Sequence, residues 1–281
     1  MIGAGASFAI MIVIVRHVSA EQHPFQIAFF RNLFGMAVML PWIIRTGGKG
    51  LRTQRFGLHL FRALIGLAAM LCFFSAISLM PVAEVTALTF TAPLFATVGA
   101  ALVLGEKVRL RRWTAAAVGF VGALVILRPG AAMVTPAALV ALASAAFMAV
   151  AILTIKALSR TENPNAIVLY MGLLLTPLSF VGALFVWTPP MPQTWAWLVA
   201  MGLTATLGQL MMTRAFAAAE ASAVLPFDFA RLVFVAILGF LLFGELPDLW
   251  TWIGAAVIVT ATGYIAHREA RLGKEMPPAA P

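Results

Sequence analysis

Long runs of apolar residues alternate with short polar gaps along the whole chain. Ten runs can be counted, at 2–18, 24–44, 57–80, 84–104, 113–128, 136–157, 165–187, 194–217, 222–244 and 249–266. Because an α-helix rises about 1.5 Å per residue, about 20 apolar residues cross the ~30 Å hydrocarbon layer of a bilayer. The pattern therefore predicts an all-α membrane protein with ten transmembrane helices, and none of the gaps could hold a soluble domain.

Composition and charge agree with this prediction. Of 281 residues, 62% are hydrophobic and 10% are charged, whereas about a quarter of a soluble domain is charged. The net charge of +9 does not indicate nucleic-acid binding, because Lys and Arg lie in short loops beside apolar spans, where they set orientation. With the N-terminus inside, the cytoplasmic loops and tail receive Arg45, Lys49, Arg52, Arg55, Arg62, Lys107, Arg109, Arg111, Arg112, Lys156, Arg160, Arg268, Arg271 and Lys274. The opposite side keeps Arg16 and Arg128, so both termini are predicted to be cytoplasmic. Nothing basic precedes the first run, so we expect a retained helix rather than a signal peptide.

Two halves of the chain can be laid over each other with a shift of about 140 residues. The matching pairs are Pro24 with Pro164, Leu104-Gly105-Glu106 with Phe243-Gly244-Glu245, and Trp113-Thr114 with Trp250-Thr251. Each half holds five spans, and because five is odd the second half enters the membrane from the opposite side. The sequence thus predicts two inverted five-helix repeats around a central cavity, a frequent design of secondary transporters.

The ninth run carries an acid and a base at membrane depth. Asp228 and Arg231 are three residues apart, just after Pro226. A charge at the membrane centre costs roughly 2.5–3.5 kcal/mol on insertion scales, and opposite charges at i and i+3 can neutralise each other. We therefore expect this pair to face a polar cavity and to bind substrate. Four prolines, two in each half, are either static kinks or hinges for alternating access: Pro41, Pro93, Pro177 and Pro226.

Further polar residues in the spans are candidates for binding substrate. Thr86 and Thr89 lie close to one face of the fourth span, the repeat partner of the ninth. Their hydroxyls either return to the i−4 carbonyl or line the cavity. Arg31 and Asn32 lie about seven residues into the second span; Arg31 either snorkels to the headgroups or anchors a substrate carboxylate or phosphate. Gln209, deep in the eighth span, is the remaining candidate among these residues.

Other residue types favour structural roles. Tyr170 and most tryptophans fall near span ends, where an interfacial belt is the default; stacking on an aromatic ligand is the alternative, and Tyr170 is kept as a candidate for it. Glu106 and Glu245 each follow a glycine at a span end, which favours capping or loop contacts over a proton relay. The four histidines lack metal-ligand spacing, so no metal or cofactor is predicted. Cys72 is the sole cysteine, so an internal disulfide is excluded.

Three stretches also resemble a known family. They are Phe29-Phe30-Arg31-Asn32, Leu104-Gly105-Glu106-Lys107, and Pro226-Phe227-Asp228-Phe229 through Phe243-Gly244-Glu245-Leu246-Pro247. They are similar to the drug/metabolite transporter superfamily and, within it, to the ten-helix EamA-type exporters of bacterial inner membranes. The resemblance implies a first EamA repeat over 1–130, a second over 131–281 with a short cytoplasmic tail, and a central cavity lined by both halves. The short first helix departs from the family pattern.

The leading hypothesis is a secondary transporter that exports small metabolites across the inner membrane by alternating access. The resemblance favours amino acids, and the bacterial aromatic amino-acid exporters are a plausible closer relative. Carriers of riboflavin, purines or cationic drugs stay open, because no motif selects among them. A non-transporting intramembrane enzyme is the alternative from a different class, but the sequence has no Gly-x-Ser-x-Gly, His-Glu-x-x-His or P-loop motif. Ten helices in one chain predict function as a monomer in the bilayer, by facilitated diffusion at least as readily as by proton antiport.

Overall fold

The computed structural model describes residues 1–46, 53–103, 110–127, 135–158, 161–218, 228 and 230–275. The helices are α1 (Ile2–Val18), α2 (Pro24–Thr46), α3 (Phe56–Leu79), α4 (Val82–Thr89), α5 (Ala92–Val103), α6 (Leu110–Leu127), α7 (Pro136–Leu158), α8 (Pro164–Leu184), α9 (Thr194–Ala218), α10 (Ala230–Phe243) and α11 (Leu249–Glu275). Within these ranges no β-strand occurs, so the described part of the chain is all-α as predicted. Glu106 and Pro226 lie outside the described residues.

The fourth predicted span is divided into two helices. α4 ends at Thr89 and α5 begins at Ala92, and the backbone N–H of Thr91 bonds the carbonyl of Leu88 at 3.0 Å in a tightened last turn. The carbonyl of Thr91 then accepts from the N–H of Leu94 at 2.9 Å, which starts the next helix. Pro93 lies in that first turn, where a missing N–H leaves no helical hydrogen bond unmade. Within the described ranges, eleven helices therefore correspond to the ten predicted spans.

Length and hydropathy separate the helices into two groups. Four segments of the described chain are long and apolar enough to cross a membrane, namely Phe56–Leu79, Pro136–Ile155, Pro164–Leu184 and Thr194–Ala215. Five shorter apolar stretches accompany them: Ile2–Val18, Val82–Ala96, Ala117–Ile126, Ala230–Phe243 and Leu249–Ala261. Among the shorter stretches, those of α1 and α4–α5 pack against the long helices α9 and α7, whereas those of α6 and α11 pack mainly against each other.

Helices from the two halves of the chain interleave. α1 packs against α9 and α10, while α3 and the α4–α5 pair pack against α7. α2 lies against both α8 and α9, and α6 lies against α11. The core is therefore built across the boundary between the halves, and neither half has a separate core.

Glycines allow the closest helix crossings. A Cβ atom added at Gly122 of α6 would lie 2.9 Å from the carbonyl oxygen of Gly254 in α11. A Cβ atom added at Gly202 of α9 would lie 2.6 Å from the Cβ atom of Phe34 in α2. In a membrane, where hydrophobicity does not drive helices together, small residues at such crossings supply the van der Waals contact.

Candidate functional site

A cavity lies between α2, α8 and α9. Its volume is about 20 Å³, which is room for one water molecule. Its lining consists of Arg31, Asn32, Gly35, Met36 and Met39 from α2, Val168, Leu169, Met171 and Gly172 from α8, and Ala205, Thr206 and Gln209 from α9. Three of the sequence-predicted binding residues, Arg31, Asn32 and Gln209, are thus brought together from two helices.

Small residues and methionines shape this cavity. A Cβ atom added at Gly172 would lie 3.0 Å from the Cγ atom of Met36, so the glycine lets Met36 pack closely against the backbone of α8. Met36 also accepts a hydrogen bond at its Sδ atom from the Thr176 hydroxyl at 3.5 Å. Methionine side chains are flexible and polarisable, so the lining can adapt to a flat apolar surface.

Arg31 is buried in the bundle, with 9% of its surface exposed. Its Nη1 atom donates to Asn32 Oδ1 at 3.0 Å and lies 3.4 Å from Met70 Sδ on α3. Snorkelling to headgroups, one of the two alternatives for this residue, does not describe this position. Asn32 is also buried, and its Nδ2 donor has no partner among the described residues. Two side chains therefore present hydrogen-bond donors at the α2 wall.

Sequence reasoning missed Arg62 and His59, which lie behind the α8 wall. Arg62 was assigned to a cytoplasmic loop, but it lies in α3 and is 5% exposed. It donates to the carbonyl of Ile167 at 3.3 Å and contacts Met171 Sδ at 3.4 Å. Neither ring nitrogen of buried His59 has a hydrogen-bond partner in the described structure. The position of Arg62 was the signal that could have shown its burial, because α3 begins at Phe56 and Arg62 lies nearly two turns inside the helix.

Tyr170 lies inside the bundle rather than in an interfacial belt. It is 9% exposed, and its ring stacks on His59 with centroids 4.4 Å apart and planes 28° apart. It neighbours the cavity residues Leu169 and Met171 in sequence but is not part of the lining. The structure therefore gives Tyr170 a protein partner for its ring and leaves the ligand-stacking role as a prediction.

Thr86 and Thr89 are not brought to the cavity. Both are buried, and their hydroxyls return to their own helix: Thr86 Oγ1 donates to the carbonyl of Val82, and Thr89 Oγ1 donates to that of Thr86, each at 2.7 Å. Such bonds satisfy a hydroxyl where no water is present. For these two residues the structure favours the local alternative over cavity lining.

Asp228 and Arg231 form the predicted ion pair, with Arg231 Nη2 3.2 Å from Asp228 Oδ2. Their side chains are 17% and 15% exposed, so the pair is internal. The guanidinium carbon of Arg231 lies 5.0 Å from the ring centroid of Phe90 and 5.9 Å from that of Phe8, within the range of cation–π attraction. The pair thus lies beside α1 and the α4–α5 break, and it is not part of the lining between α2, α8 and α9.

An aromatic cluster packs next to the cavity at the start of α2. It is formed by Phe29, Phe30, Phe34, Phe180, Trp187 and Trp195. The ring of Phe30 lies 5.4 Å from that of Trp195 and 5.7 Å from that of Trp187. Gln26 reinforces this end, because its Nε2 atom donates to the carbonyl of Thr188 at 2.8 Å. This end of the α2–α8–α9 group is therefore tightly packed.

Comparison with known proteins gives matches along almost the whole chain. The sequence model of the EamA-like transporter family matches residues 1–128 and 135–266. A riboflavin transporter of Vibrio cholerae serotype O1 is 36% identical over 276 residues, covering 96% of this chain and 93% of that protein. An S-adenosylmethionine uptake transporter of Rickettsia bellii is 30% identical over 257 residues, covering 92% and 88% respectively. A solved crystal structure aligns with a TM-score of 0.65 at 20% identity, over 96% of this chain and 97% of its own, which shows a shared fold.

Proposed function

We propose that the chain, which belongs to the EamA-like transporter family, carries a heteroaromatic metabolite of the riboflavin class through the cavity between α2, α8 and α9. As a member of that family it is a membrane transporter of small molecules rather than an enzyme. The observation that carries this proposal is the pairing of hydrogen-bond donors with methionines in one cavity. A flavin has carbonyl and imine acceptors along one edge of a flat conjugated ring. Arg31 and the unpartnered Nδ2 of Asn32 can donate to that edge.

The remaining lining suits the faces of such a ring. Met36, Met39 and Met171 line the cavity, and thioether sulfurs make favourable contacts with aromatic systems. Gly35 and Gly172 keep the opposing backbones free of side chains at the same level. The name of the Vibrio cholerae relative, a riboflavin transporter, supports the same substrate class.

Amino acids, which the sequence favoured, fit this cavity less well. A zwitterionic amino acid needs a countercharge for its ammonium group as well as for its carboxylate. No Asp or Glu lines the cavity in the described part of the chain, and a buried charge without a partner is costly. The relative described above that is named for riboflavin supports a substrate without an ammonium group. Riboflavin-like metabolites, one of the alternatives left open by the sequence, therefore become the first candidate.

Transport is proposed to occur by alternating access between two inverted repeats, 1–130 and 131–281. The family model matches each half separately, which supports two repeats. The packing of α1 on α9 and of α3 on α7 supports them too, because exchanging corresponding helices of the two halves turns one contact into the other. Pro41 and Pro177 lie inside the corresponding helices α2 and α8, where a missing hydrogen bond allows bending. The inner membrane, with both termini in the cytoplasm, is the proposed location.

Flux measurements in proteoliposomes test this proposal. Riboflavin is fluorescent, so its entry into liposomes that contain the purified protein can be followed directly. Preloading with riboflavin, phenylalanine, tryptophan or adenine then tests counterflow, and reversing the loading tests whether export or uptake is faster. We expect riboflavin counterflow without a pH gradient. Counterflow with amino acids and none with riboflavin would overturn the substrate class.

A further inference from the structure

Two buried arginines beside the cavity lack a countercharge. Elsewhere in the described chain, Arg16 and Arg231 are paired with carboxylates at 2.8 Å and 3.2 Å. Arg31 and Arg62 are more deeply buried, at 9% and 5% exposure, and neither forms an ion pair with a described residue. An isolated charge in the interior is unfavourable unless another charge compensates it. Arg16 and Arg231 have carboxylate partners, whereas Arg31 and Arg62 have none among the described residues. This difference indicates that the countercharge of Arg31 and Arg62 comes from outside the described chain.

The contacts that these two arginines make are weak. Arg31 Nη1 donates to the neutral amide oxygen of Asn32 and meets the sulfur of Met70. Arg62 donates to a backbone carbonyl at 3.3 Å and meets the sulfur of Met171 at 3.4 Å, and its Nε atom has no partner among described residues. A thioether is a poor acceptor, so the two sulfur contacts leave part of the hydrogen-bonding capacity of these guanidinium groups unused.

Both arginines reach the cavity lining. Arg31 is part of the cavity lining, and Arg62 touches Met171, which is part of that lining on the opposite wall. Asn32 adds an unpartnered, buried Nδ2 donor at the cavity surface. Because methionine side chains rotate easily, displacement of the Met171 thioether would expose the Arg62 guanidinium to a ligand.

We propose that Arg31 and Arg62 form an anion-binding subsite of this cavity, so that the transported metabolite is an organic anion whose carboxylate or phosphate group lies between them. This inference rests on the proposed function and narrows its substrate class. The planar guanidinium group of arginine matches either oxyanion with two parallel hydrogen bonds. The ligand supplies a countercharge when it binds, and before that no carboxylate of the described residues forms an ion pair with either arginine.

Competition between matched flavins tests the subsite. Riboflavin flux is measured in proteoliposomes against riboflavin 5′-phosphate, a flavin with a carboxyalkyl chain at N10, and an uncharged flavin with a hydroxyalkyl chain of the same length. We expect the better anionic flavin to inhibit at about tenfold lower concentration than the uncharged one. The order of the two anionic flavins distinguishes phosphate from carboxylate.

Substitutions show whether the preference comes from these arginines. Arg31→Met and Arg62→Met keep much of the side-chain volume and remove the charge. Each is expected to reduce the preference to about twofold or less, and Arg62→Lys is expected to retain part of it. Arg214→Met is the matched control, because Arg214 is exposed near the end of α9 and its loss should leave the preference unchanged.

Thermal unfolding of the purified, ligand-free variants gives a readout that is independent of flux. Replacing an uncompensated buried charge removes an unfavourable term, so Arg31→Met and Arg62→Met are expected to raise the Tm by about 2–4 °C. Replacing a paired charge, as in Arg231→Met, is expected to lower it. A fall in Tm for both cavity variants with an unchanged anion preference would overturn the subsite.

The two proposals fail in different ways. Riboflavin flux that is equally sensitive to charged and uncharged competitors would overturn the subsite and leave the riboflavin class in place. If riboflavin does not move, the anionic flavins are tested by the Tm alone. An anionic flavin that raises the Tm of the native protein but not that of Arg31→Met and Arg62→Met would support the subsite. The absence of riboflavin flux would count against riboflavin as the substrate.

Discussion

Arg16 Nη2 lies 2.8 Å from Glu245 Oε1, so an ion pair joins the end of α1 to the segment that follows α10. The other oxygen of Glu245 accepts from the backbone N–H of Val82 at 3.0 Å, at the start of α4. Arg16 also donates to the carbonyl of Ile77 at 2.7 Å. Glu245 therefore has the capping and loop contacts that its position after Gly244 suggested, and it stabilises the meeting point of four helices.

The backbone conformation of Gly244 explains why a glycine precedes Glu245. α10 ends at Phe243, and Gly244 has a positive φ of 68°, a conformation that glycine adopts without steric cost. The N–H of Gly244 bonds the carbonyl of Phe240, which is the αL pattern of a helix end, and the N–H of Glu245 bonds the carbonyl of Gly239. The turn directs Glu245 back to the bundle, toward Arg16 and Val82.

The Arg16–Glu245 pair is predicted to stabilise the fold. Glu245→Ala removes charge-assisted hydrogen bonds, so the free energy of unfolding should fall by about 1–3 kcal/mol. Glu245→Gln, which keeps an acceptor for the Val82 N–H, should lose less. Thermal or denaturant unfolding in detergent measures both, and a double-mutant cycle with Arg16→Met isolates the pair. A coupling energy near zero would show that the two side chains act independently.

The α6–α11 crossing should not tolerate a methyl group. Cβ atoms at Gly122 and Gly254 would each approach the other residue's carbonyl oxygen, at 2.9 Å and 2.5 Å. Gly122→Ala and Gly254→Ala should therefore each destabilise the protein by about 1–3 kcal/mol. Gly66→Ala in α3 is the control, since a Cβ atom there meets nothing within 4 Å and alanine favours helix. Equal stability of all three variants would contradict a close crossing.

The sequence predicted most of the helices, because a transmembrane span is defined by length and hydropathy alone. The ends of α1, α7 and α9 agree with the predicted runs to within one residue. A bend in the fourth span was predicted from Pro93, but its division into two helices between Thr89 and Ala92 was not, since the surrounding residues are as apolar as in an unbroken span. Its one signal was Pro93, which fits the first turn of a new helix.

The site was predicted only in part, because hydropathy does not tell which neighbour a side chain faces. Arg31, Asn32 and Gln209 meet in the cavity, whereas the Asp228–Arg231 pair was identified correctly but lies against α1 and Phe90. Arg62 was assigned to a loop because charges near span ends usually lie outside the membrane. The contacts of Arg62 with α8 depend on how α3 packs, which no local pattern in the sequence records.

Filling the cavity should stop transport without unfolding the protein. A Cβ atom at Gly172 already meets Met36 Cγ at 3.0 Å, so the leucine of Gly172→Leu must displace Met36 into the cavity, and we expect riboflavin flux to fall by more than about tenfold. Gly66→Leu is the matched control, because that glycine also lies within a helix but faces open space. Flux in proteoliposomes and Tm in detergent are measured together. Normal flux for Gly172→Leu would place the transport path elsewhere.

Both termini are predicted to be cytoplasmic, from the distribution of Lys and Arg. Arg268, Arg271 and Lys274 lie at the end of α11, next to its apolar part. A green fluorescent protein fused after residue 281 should therefore fluoresce, and an alkaline phosphatase fused there should be inactive. Active phosphatase together with a dark fluorescent fusion would reverse the proposed orientation of both repeats.

Asp228 and Arg231 are predicted to be needed for flux, although the cavity lining does not include them. Removing one partner of an internal ion pair leaves the other charge unpaired, at a cost of about 3–5 kcal/mol. Asp228→Ala and Arg231→Ala should therefore lower the Tm as well as the flux, and neither measurement alone separates folding from transport.

A double variant that exchanges the two charges separates an effect on folding from an effect on transport. The double variant Asp228→Arg with Arg231→Asp keeps opposite charges three residues apart but moves the guanidinium away from the Phe8 and Phe90 rings. If the pair only holds α10 in place, the exchange should restore both the Tm and the flux. We expect the Tm to recover in part while the flux stays low, because the cation must lie between α1 and the α4–α5 break for transport. Full recovery of flux would show that the pair is structural.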